Sequence, residues 1–346
     1  MRNSRTTITL FVLFAAACII GSAGYAVRRS RAPTTASTAP LSNPADPGVA
    51  SMLDGVRAAP HLIFQSRRSD ALGRVAMTKL ETLESSLIID TEECERSHFS
   101  KQFGLCLELN YKSREPRAFG VILDRHFREL TRFPLPGLPI RARISPDERY
   151  AAATVFVTGE SYGGDFTTRT TIIDLATKKL IANLEEFAVE RDGKPFRNVD
   201  FNFWGVTFFQ DGNRFYATLG TGGKRLLVEG DIGRRMLKVV GSDVECPSLS
   251  PDEHHLVFKR QRSSGTGWRL WALDLATRRE WPITEDGLDV DDQVEWLDNG
   301  RVIYGLLYGQ AEQEASLSLW VSDIAPASGL NQQLFLRSAL SPSVIR

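Results

Sequence analysis

The sequence predicts an all-β fold, a six-bladed β-propeller whose C-terminal strand closes the first blade, preceded by one N-terminal transmembrane helix. Three observations predict it: a turn phrase that recurs along the chain, an aspartate that ends a later strand of most units, and one apolar stretch near the N-terminus. They divide the 346 residues into a tail, a membrane anchor, a flexible linker and the propeller, at 1–7, 8–27, 28–59 and 60–346.

The membrane anchor is the uncharged stretch from Ile8 to Val27, which arginines flank on both sides. As a helix it spans roughly 30 Å, the thickness of the hydrocarbon core of a bilayer. We expect an uncleaved signal anchor, because the run is longer than the apolar region of about 7–15 residues in a signal peptide. Cleavage near Ala23 or Ala26 and a lipoprotein modified at Cys18 are the two alternatives.

The segment after the anchor is rich in Pro, Ala, Ser and Thr over residues 30–59 and lacks hydrophobic periodicity. This composition is typical of a flexible, partly extended tether. The short N-terminal tail favours export of the large C-terminal part. We therefore expect a single-pass protein of the cell membrane whose propeller lies outside the cytoplasm, in the periplasm or at the cell surface.

The recurring phrase is a turn between two β-rich runs, and its six starts lie at positions 100, 145, 209, 250, 297 and 341. This spacing is close to the roughly 40–50 residues of a propeller blade. Proline fixes φ near about −65° at the second turn position, and the Asp or Asn that follows closes a tight hairpin. Three copies carry Ser-Pro and three are degenerate; in this order they are Ile144–Glu148, Leu249–Glu253, Leu340–Pro342, Phe209–Gly212, Leu297–Gly300 and His98–Lys101.

A second signal is the aspartate that ends a later strand, as at Asp124, Asp174 and Asp274. Its side chain can accept a hydrogen bond from the backbone two residues on, so we expect an Asx turn between the third and fourth strands of each unit. Segments of helical period are lacking between these strands, which excludes a sheet of alternating strands and helices. Radial repetition of four-stranded units is the architecture that fits.

The two ends of the repeat region complement each other. His61–Ser66 and Gly73–Leu80 supply strands of a first blade that lacks its own phrase, whereas Leu340–Ile345 supplies a phrase that lacks its own blade. We therefore expect the last strand to complete the first blade, which removes the edges of the ring and gives six blades. The longest interval, from 145 to 209, contains an extra segment, Glu185–Val199.

The repeat unit resembles a known family. Ser-Pro-Asp-Glu followed by an apolar strand and by an Asp-Leu-Ala-Thr turn is similar to the WD40-like PD40 repeat of TolB-type propellers, over about residues 60–346. The resemblance implies the fold but not one function, because family members range from periplasmic scaffolds to propeller domains of peptidases and lyases. TolB itself carries an extra N-terminal α/β domain, where this chain has a membrane segment and a tether, so its role is not transferred.

Charge and cysteine content exclude several classes of function. The 42 basic residues equal the 42 acidic ones, whereas a nucleic-acid binder usually carries a basic excess. The four cysteines form no CxxC pair, so a zinc or thioredoxin-type site is not supported. A disulfide between Cys94 and Cys106 fits an oxidising compartment, although their spacing alone does not establish it. The five histidines lack ligand spacing, and we expect neither a metal nor a cofactor.

A hydrolase motif is the main catalytic alternative. Gly159–Gly163 fits G-x-S-x-G with Ser161 as the nucleophile, and the motif requires a strand that turns sharply into a helix. The residues after it are Thr-rich and β-branched, which is typical of a strand. We therefore interpret the segment as a hairpin loop, with Ser161, Tyr162 and Asp165 as candidate binding residues.

Two further loops are candidates for binding. The extra segment contributes Glu190, Arg191 and Asp192. An acidic loop contributes Asp289, Asp291 and Asp292, but it lacks the glutamate of an EF-hand loop.

The sequence thus predicts a non-catalytic, membrane-tethered scaffold that binds a protein or a cell-envelope component through propeller loops. A hydrolase acting at the channel through Ser161 and a ligand sensor of the envelope are the alternatives.

Overall fold

The computed structural model describes residues 42–83, 86–110, 117–159, 166–262, 267–286, 289–290, 293–308, 316–325 and 330–346. In these ranges it has six sheets that follow one another around a ring. The predicted anchor, 8–27, and the first part of the predicted linker lie outside the described residues. No helix within the described ranges has the length and apolar character needed to span a bilayer.

Each sheet is one propeller blade, and we number the blades along the chain. Blade 1 consists of β26 (Ala339–Ile345), β1 (His61–Ser66), β2 (Val75–Lys79) and β3 (Leu87–Ile88). Blade 2 consists of β4 (Arg96–Phe99), β5 (Phe103–Asn110), β6 (Arg117–Asp124) and β7 (Glu129–Leu135). Blade 3 consists of β8 (Leu138–Ile144), β9 (Tyr150–Thr158), β10 (Thr167–Asp174) and β11 (Lys179–Asn183).

The other three blades repeat this order, and the fourth has two additional strands. Blade 4 consists of β14 (Asn202–Phe208), β15 (Arg214–Thr221), β16 (Lys224–Asp231) and β17 (Met236–Ser242), extended by β12 (Ala188–Arg191) and β13 (Lys194–Phe196). Blade 5 consists of β18 (Glu245–Leu249), β19 (His255–Gln261), β20 (Trp268–Asp274) and β21 (Glu280–Pro282). Blade 6 consists of β22 (Glu295–Asp298), β23 (Arg301–Tyr308), β24 (Ser316–Asp323) and β25 (Gln332–Leu336).

The predicted closure of the ring is confirmed. β26 pairs antiparallel with β1, so that His61 lies opposite Ile345 and Ile63 lies opposite Ser343. The C-terminal strand is therefore the first, innermost strand of blade 1, and its three partners come from the N-terminal part of the described chain. The first strands of neighbouring blades contact one another around the central channel. Apolar clusters between adjacent blades form the core.

The turn chemistry that the repeat predicts is present in blades 3 and 5. The Ser145 hydroxyl donates to Asp147 Oδ1 at 2.6 Å and accepts a hydrogen bond from the Tyr150 backbone N–H at 2.9 Å. Ser250 makes the same two bonds, to Asp252 and from His255, at 2.6 and 2.9 Å. The Asx turn after the third strand is also formed, for example at Asp124, which accepts from the His126 N–H at 2.8 Å.

One of the three Ser-Pro copies was wrongly interpreted. Ser341-Pro342 lies inside β26, where the register with β1 shifts between Ile63 and Gln65, and Ser341 has a φ of +48°. Cys246-Pro247 occupies the equivalent bulge in β18, with a φ of +47° at Cys246. The Ser-Pro dipeptide at the C-terminus is thus a strand bulge and not the turn after the first strand, although the predicted role of the strand is correct.

Two elements were not predicted. Helix α1, Pro47–Arg57, forms within the predicted linker because Asp46 caps it, Pro47 opens its first turn and Leu53 is fully buried. The extra segment forms the hairpin β12–β13, which adds to the outer edge of blade 4 through a parallel pairing of β12 with β17. Cys94 and Cys106 form a disulfide, and the Cys246 thiol is buried and free.

Candidate functional site: the mouth of the central channel

The first strands of all six blades present a polar side chain at one common level. In every blade this residue lies opposite the third residue of the second strand, which is Ile63, Leu105, Ala152, Tyr216, Val257 or Ile303. We call the six residues the polar ring; in blade order they are Ser343, His98, Arg143, Thr207, Ser248 and Glu295. Their shared register position places them together around the channel.

Three members of the polar ring accept a hydrogen bond from the next blade. Ser343 Oγ accepts from the backbone N–H of Phe99 at 2.9 Å, and His98 Nδ1 accepts from that of Ile144 at 3.1 Å. Thr207 Oγ1 accepts from the backbone N–H of Leu249 at 3.0 Å. In each case the donor directly follows the polar-ring residue of its own blade. Each bond thus satisfies a buried backbone N–H group with a side chain from the neighbouring blade.

A buried ion pair crosses the channel. The guanidinium of Arg143, in blade 3, donates to the Glu295 carboxylate, in blade 6, and its second amino group donates to the Val294 carbonyl at 2.9 Å. The two side chains are 11% and 14% exposed. Blades 3 and 6 are opposite each other in a ring of six, so this pair ties the two halves of the propeller together.

The His98 imidazole is held neutral by its burial. Because Nδ1 accepts from the Ile144 N–H, the proton of the neutral ring lies on Nε2, which is 3.5 Å from Glu295 Oε2. Burial lowers the pKa of His98. Burial also acts to raise the pKa of Glu295, but the hydrogen bond from His98 and the charge of Arg143 outweigh it and hold that pKa below its ordinary value. Both nitrogens of His98 are therefore engaged, which leaves neither in place to act as a general base.

A cavity of about 420 Å³ lies above the polar ring, and residues from all six blades line it. Its walls are the turns that follow the first strands, among them the turn phrases of blades 3 and 5. The Glu148 carboxylate accepts a hydrogen bond from the Gln102 N–H of blade 2 at 2.8 Å, and Glu253 accepts one from the Gln210 N–H of blade 4 at 2.6 Å. The glutamate of the repeat phrase thus joins blade 3 to blade 2 and blade 5 to blade 4.

Those predicted binding residues that the structure describes do not come together at this mouth. Glu190, Arg191 and Asp192 lie in the added hairpin on the outer edge of blade 4. Asp289 accepts a hydrogen bond from the Trp268 backbone N–H at 2.8 Å, beside blade 5. The remaining candidates, Ser161, Tyr162, Asp165, Asp291 and Asp292, lie outside the described residues.

The chain on both sides of the G-x-S-x-G motif is strand. β9 ends at Thr158, and β10 begins at Thr167 and pairs with it, as the Thr-rich sequence predicts. In the described part of the chain, no three His, Cys, Asp or Glu side chains converge in a group that could hold a metal ion.

Sequence reasoning missed the polar ring. Its signal was the residue two positions before the turn serine, namely His98 before Ser100, Arg143 before Ser145 and Ser248 before Ser250. A polar residue there interrupts an apolar strand, and only the closed ring shows that these positions meet.

The fold is similar to that of several solved propellers. TolB from Acinetobacter baumannii superposes with a TM-score of 0.55 and 15% sequence identity over 83% of this chain and 67% of TolB. A TolB from Agrobacterium tumefaciens superposes with a TM-score of 0.49 and 12% identity over 82% of this chain and 90% of that one. A chain of a nidogen–laminin complex superposes with a TM-score of 0.51 and 11% sequence identity over 83% of this chain and 98% of that one.

Sequence comparison adds no relative. No protein-family model matches the chain, and no curated protein sequence is similar to it. The six-bladed propeller is confirmed by the structure, and the similarity of its fold to TolB by the superposition on the Acinetobacter protein, whereas membership of the PD40 repeat family stays a prediction.

Proposed function

We propose that the protein is a non-catalytic scaffold of the cell envelope, whose propeller binds a protein or a cell-wall component at the mouth of its channel. The observation that carries this proposal is the polar ring. Ser343, Thr207 and His98 accept hydrogen bonds from the next blade, and Arg143 and Glu295 neutralise each other. These polar groups of the channel thus serve to hold the ring, which supports a scaffold.

The mouth is the surface best suited to binding a partner. It is a concave site whose walls are loops of a rigid closed ring. Binding residues usually lie in concave sites and on loops that a rigid scaffold holds in place. The turns around it are fixed by the bonds of Glu148 and Glu253 to neighbouring blades, so little conformational freedom is lost on binding. In the nidogen–laminin complex, a propeller of similar fold belongs to a protein assembly.

The envelope location is part of the same proposal. The apolar stretch 8–27 would anchor the chain, and the following segment would hold the propeller away from the bilayer. The Cys94–Cys106 disulfide supports a position outside the cytoplasm, because disulfides persist in oxidising compartments.

Site-specific photo-cross-linking of the full-length protein in its own membranes tests the proposal. A photoreactive residue at Pro146, which is exposed and lines the mouth, should give a discrete adduct. The matched control is Lys224, in the hairpin between the second and third strands of blade 4, at the opposite end of the ring. Adducts from Lys224 alone, or from neither position, would contradict binding at the mouth.

A further inference from the structure

A second cavity lies beside the channel mouth, between the end of α1 and blades 1 and 2. Its volume is about 290 Å³, near the lower end of the range usual for small-molecule sites. We call it the helix-side pocket. Much of its lining is apolar, and the rings of Phe99 and Phe127 meet edge to face with their centroids 5.8 Å apart. Phe103, Ile63 and Ile345 complete the apolar part.

Three cationic side chains line the same pocket. The Arg57 guanidinium lies over the ring of Phe127, 5.4 Å from its centroid, and donates to the Arg125 carbonyl. The Arg57 side chain is 11% exposed, and that of Arg125 is 44% exposed. Lys101 is exposed and forms neither a hydrogen bond nor an ion pair with any described residue. A fourth cation, Arg346, is excluded from this set because it donates to the Trp296 carbonyl on the channel side.

The carboxylates near these cations do not balance them. Asp124 is engaged by Arg128, with 2.7 Å between its carboxylate and the guanidinium. Asp54 is shared, at 3.4 Å from Arg57 and 3.7 Å from Arg125, and is 56% exposed. Among the described side chains, Arg57 and Arg125 thus share one largely solvated carboxylate and Lys101 has none, so the cations of the pocket outnumber the carboxylates that balance them.

The protonation of neighbouring groups agrees with this charge pattern. Burial, and then the nearby charge of Arg125, lower the pKa of Arg57. Burial likewise lowers the pKa of His61, whose Nδ1 donates to the Ala59 carbonyl at 2.9 Å. His61 is therefore neutral and adds no positive charge of its own.

We propose that the helix-side pocket binds a small organic carboxylate with an aromatic or branched aliphatic body. The carboxylate would lie between Lys101 and Arg125, and the apolar body would lie against Phe99 and Phe127. An inorganic anion would leave the aromatic floor without a partner. A neutral ligand would leave the cations without one, and charge-assisted hydrogen bonds to a carboxylate are the stronger kind. The pocket adjoins the mouth and shares Lys101 and Phe99 with its lining, but the proposal rests on the cations and aromatic rings of the pocket and not on the proposed function.

Titration of the full-length protein in a non-ionic detergent tests the proposal. The probe is 3-phenylpropionate, and its amide, 3-phenylpropanamide, is the neutral control with the same apolar body. Isothermal titration calorimetry should show saturable binding of the acid and binding of the amide at least about tenfold weaker. Equal affinity for the two, or no binding of the acid up to about 10 mM, would overturn the proposal.

Variants place the binding in this pocket. Lys101→Ala and Arg125→Ala should each weaken the binding of 3-phenylpropionate by about five- to tenfold, because each removes a charged donor on the protein surface. Lys101→Arg should retain it. Lys179→Ala, an exposed lysine in blade 3, is the matched control and should leave it unchanged. Unchanged affinity in both Lys101→Ala and Arg125→Ala, with the fold intact by circular dichroism, would exclude this pocket as the site.

Discussion

Arg143 of blade 3 and Glu295 of blade 6 form an ion pair across the central channel, between blades on opposite sides of the ring. Both side chains are nearly buried, and His98 completes the cluster through Glu295. A buried ion pair is expensive to break because the group left behind keeps its charge without a counterion. The pair is thus a long-range constraint that closes the ring from within.

Removing one partner of this pair should destabilise the propeller strongly. We expect Arg143→Met to lower the free energy of unfolding by about 3–5 kcal/mol, since it leaves the Glu295 charge buried. The double variant Arg143→Met with Glu295→Leu should recover much of that loss. Chemical denaturation followed by tryptophan fluorescence measures both.

An exposed ion pair serves as the control for that series. Arg214 and Asp211 are 2.7 Å apart but 44% and 43% exposed, so Arg214→Ala should cost less than about 1 kcal/mol. Equal losses in the free energy of unfolding for Arg143→Met and Arg214→Ala would show that the channel pair stabilises the fold no more than an exposed pair does.

The glutamate of the repeat phrase should contribute to blade docking. Glu148→Ala removes the acceptor of the Gln102 N–H, and since the bond is exposed we expect a loss of about 1 kcal/mol in the free energy of unfolding. Glu148→Gln keeps an acceptor oxygen and should cost less. Glu253→Ala should behave in the same way, and the two losses should add because the two bonds have no partner in common. A loss as large in Glu190→Ala, on the outer hairpin, would argue against this role.

Glu185 should make the stability depend on pH. Burial raises its pKa to about 7 from an ordinary 4.5, although it accepts a hydrogen bond from the Thr170 N–H at 3.1 Å. A raised folded-state pKa means that the folded protein holds the proton more tightly than the unfolded chain does. The contribution of this proton to the free energy of unfolding is therefore complete below about pH 4.5 and is lost as pH rises through 7.

The variant Glu185→Gln isolates that effect. It should match the parent near pH 5 and exceed its free energy of unfolding by about 2 kcal/mol near pH 8, because the amide keeps an acceptor without a buried charge. Denaturation at both pH values measures the difference. Its exposed neighbour gives the control, Glu186→Gln, which should change both values only slightly because the charge of Glu186 is the smallest of the influences that raise the pKa of Glu185. A Glu185→Gln variant that tracks the parent at both pH values would contradict the prediction.

Ser161 decides the hydrolase alternative. Since the segments on both sides of its motif are paired strands and not a strand followed by a helix, we expect no activated nucleophile. A fluorophosphonate probe should leave Ser161 unlabelled, as judged by peptide mass spectrometry of the full-length protein. Labelling of the parent that disappears in Ser161→Ala would revive the hydrolase.

The fold was predictable from sequence because its local signals repeat. The Ser-Pro-Asp turn and the Asx turn are short-range hydrogen-bond patterns, and Ser145 and Asp124 form them as expected. Ser341 misled because Ser-Pro is compatible both with a turn and with a strand bulge, and only the pairing with β1 separates the two. Helix α1 was not predicted because Leu53 is its one buried residue, and a single apolar position gives no helical periodicity in the sequence.

The site was less predictable because it depends on contacts between distant segments. Arg143 and Glu295 are 152 positions apart in sequence, and neither belongs to a motif of its own. The residues chosen from loop composition, such as Glu190 and Asp289, lie at the outer edge of blade 4 or beside blade 5. Composition identifies exposed loops, but it does not show which side chains converge around an axis.

The closed ring is the claim on which the channel, its mouth and the polar ring all depend. Hydrogen–deuterium exchange of the full-length protein tests it most directly, through peptides that cover residues 339–345 and 138–144. We predict that the C-terminal strand is protected as strongly as the first strand of blade 3. Exchange of residues 339–345 within seconds, while residues 138–144 stay protected, would show an open ring and contradict the account.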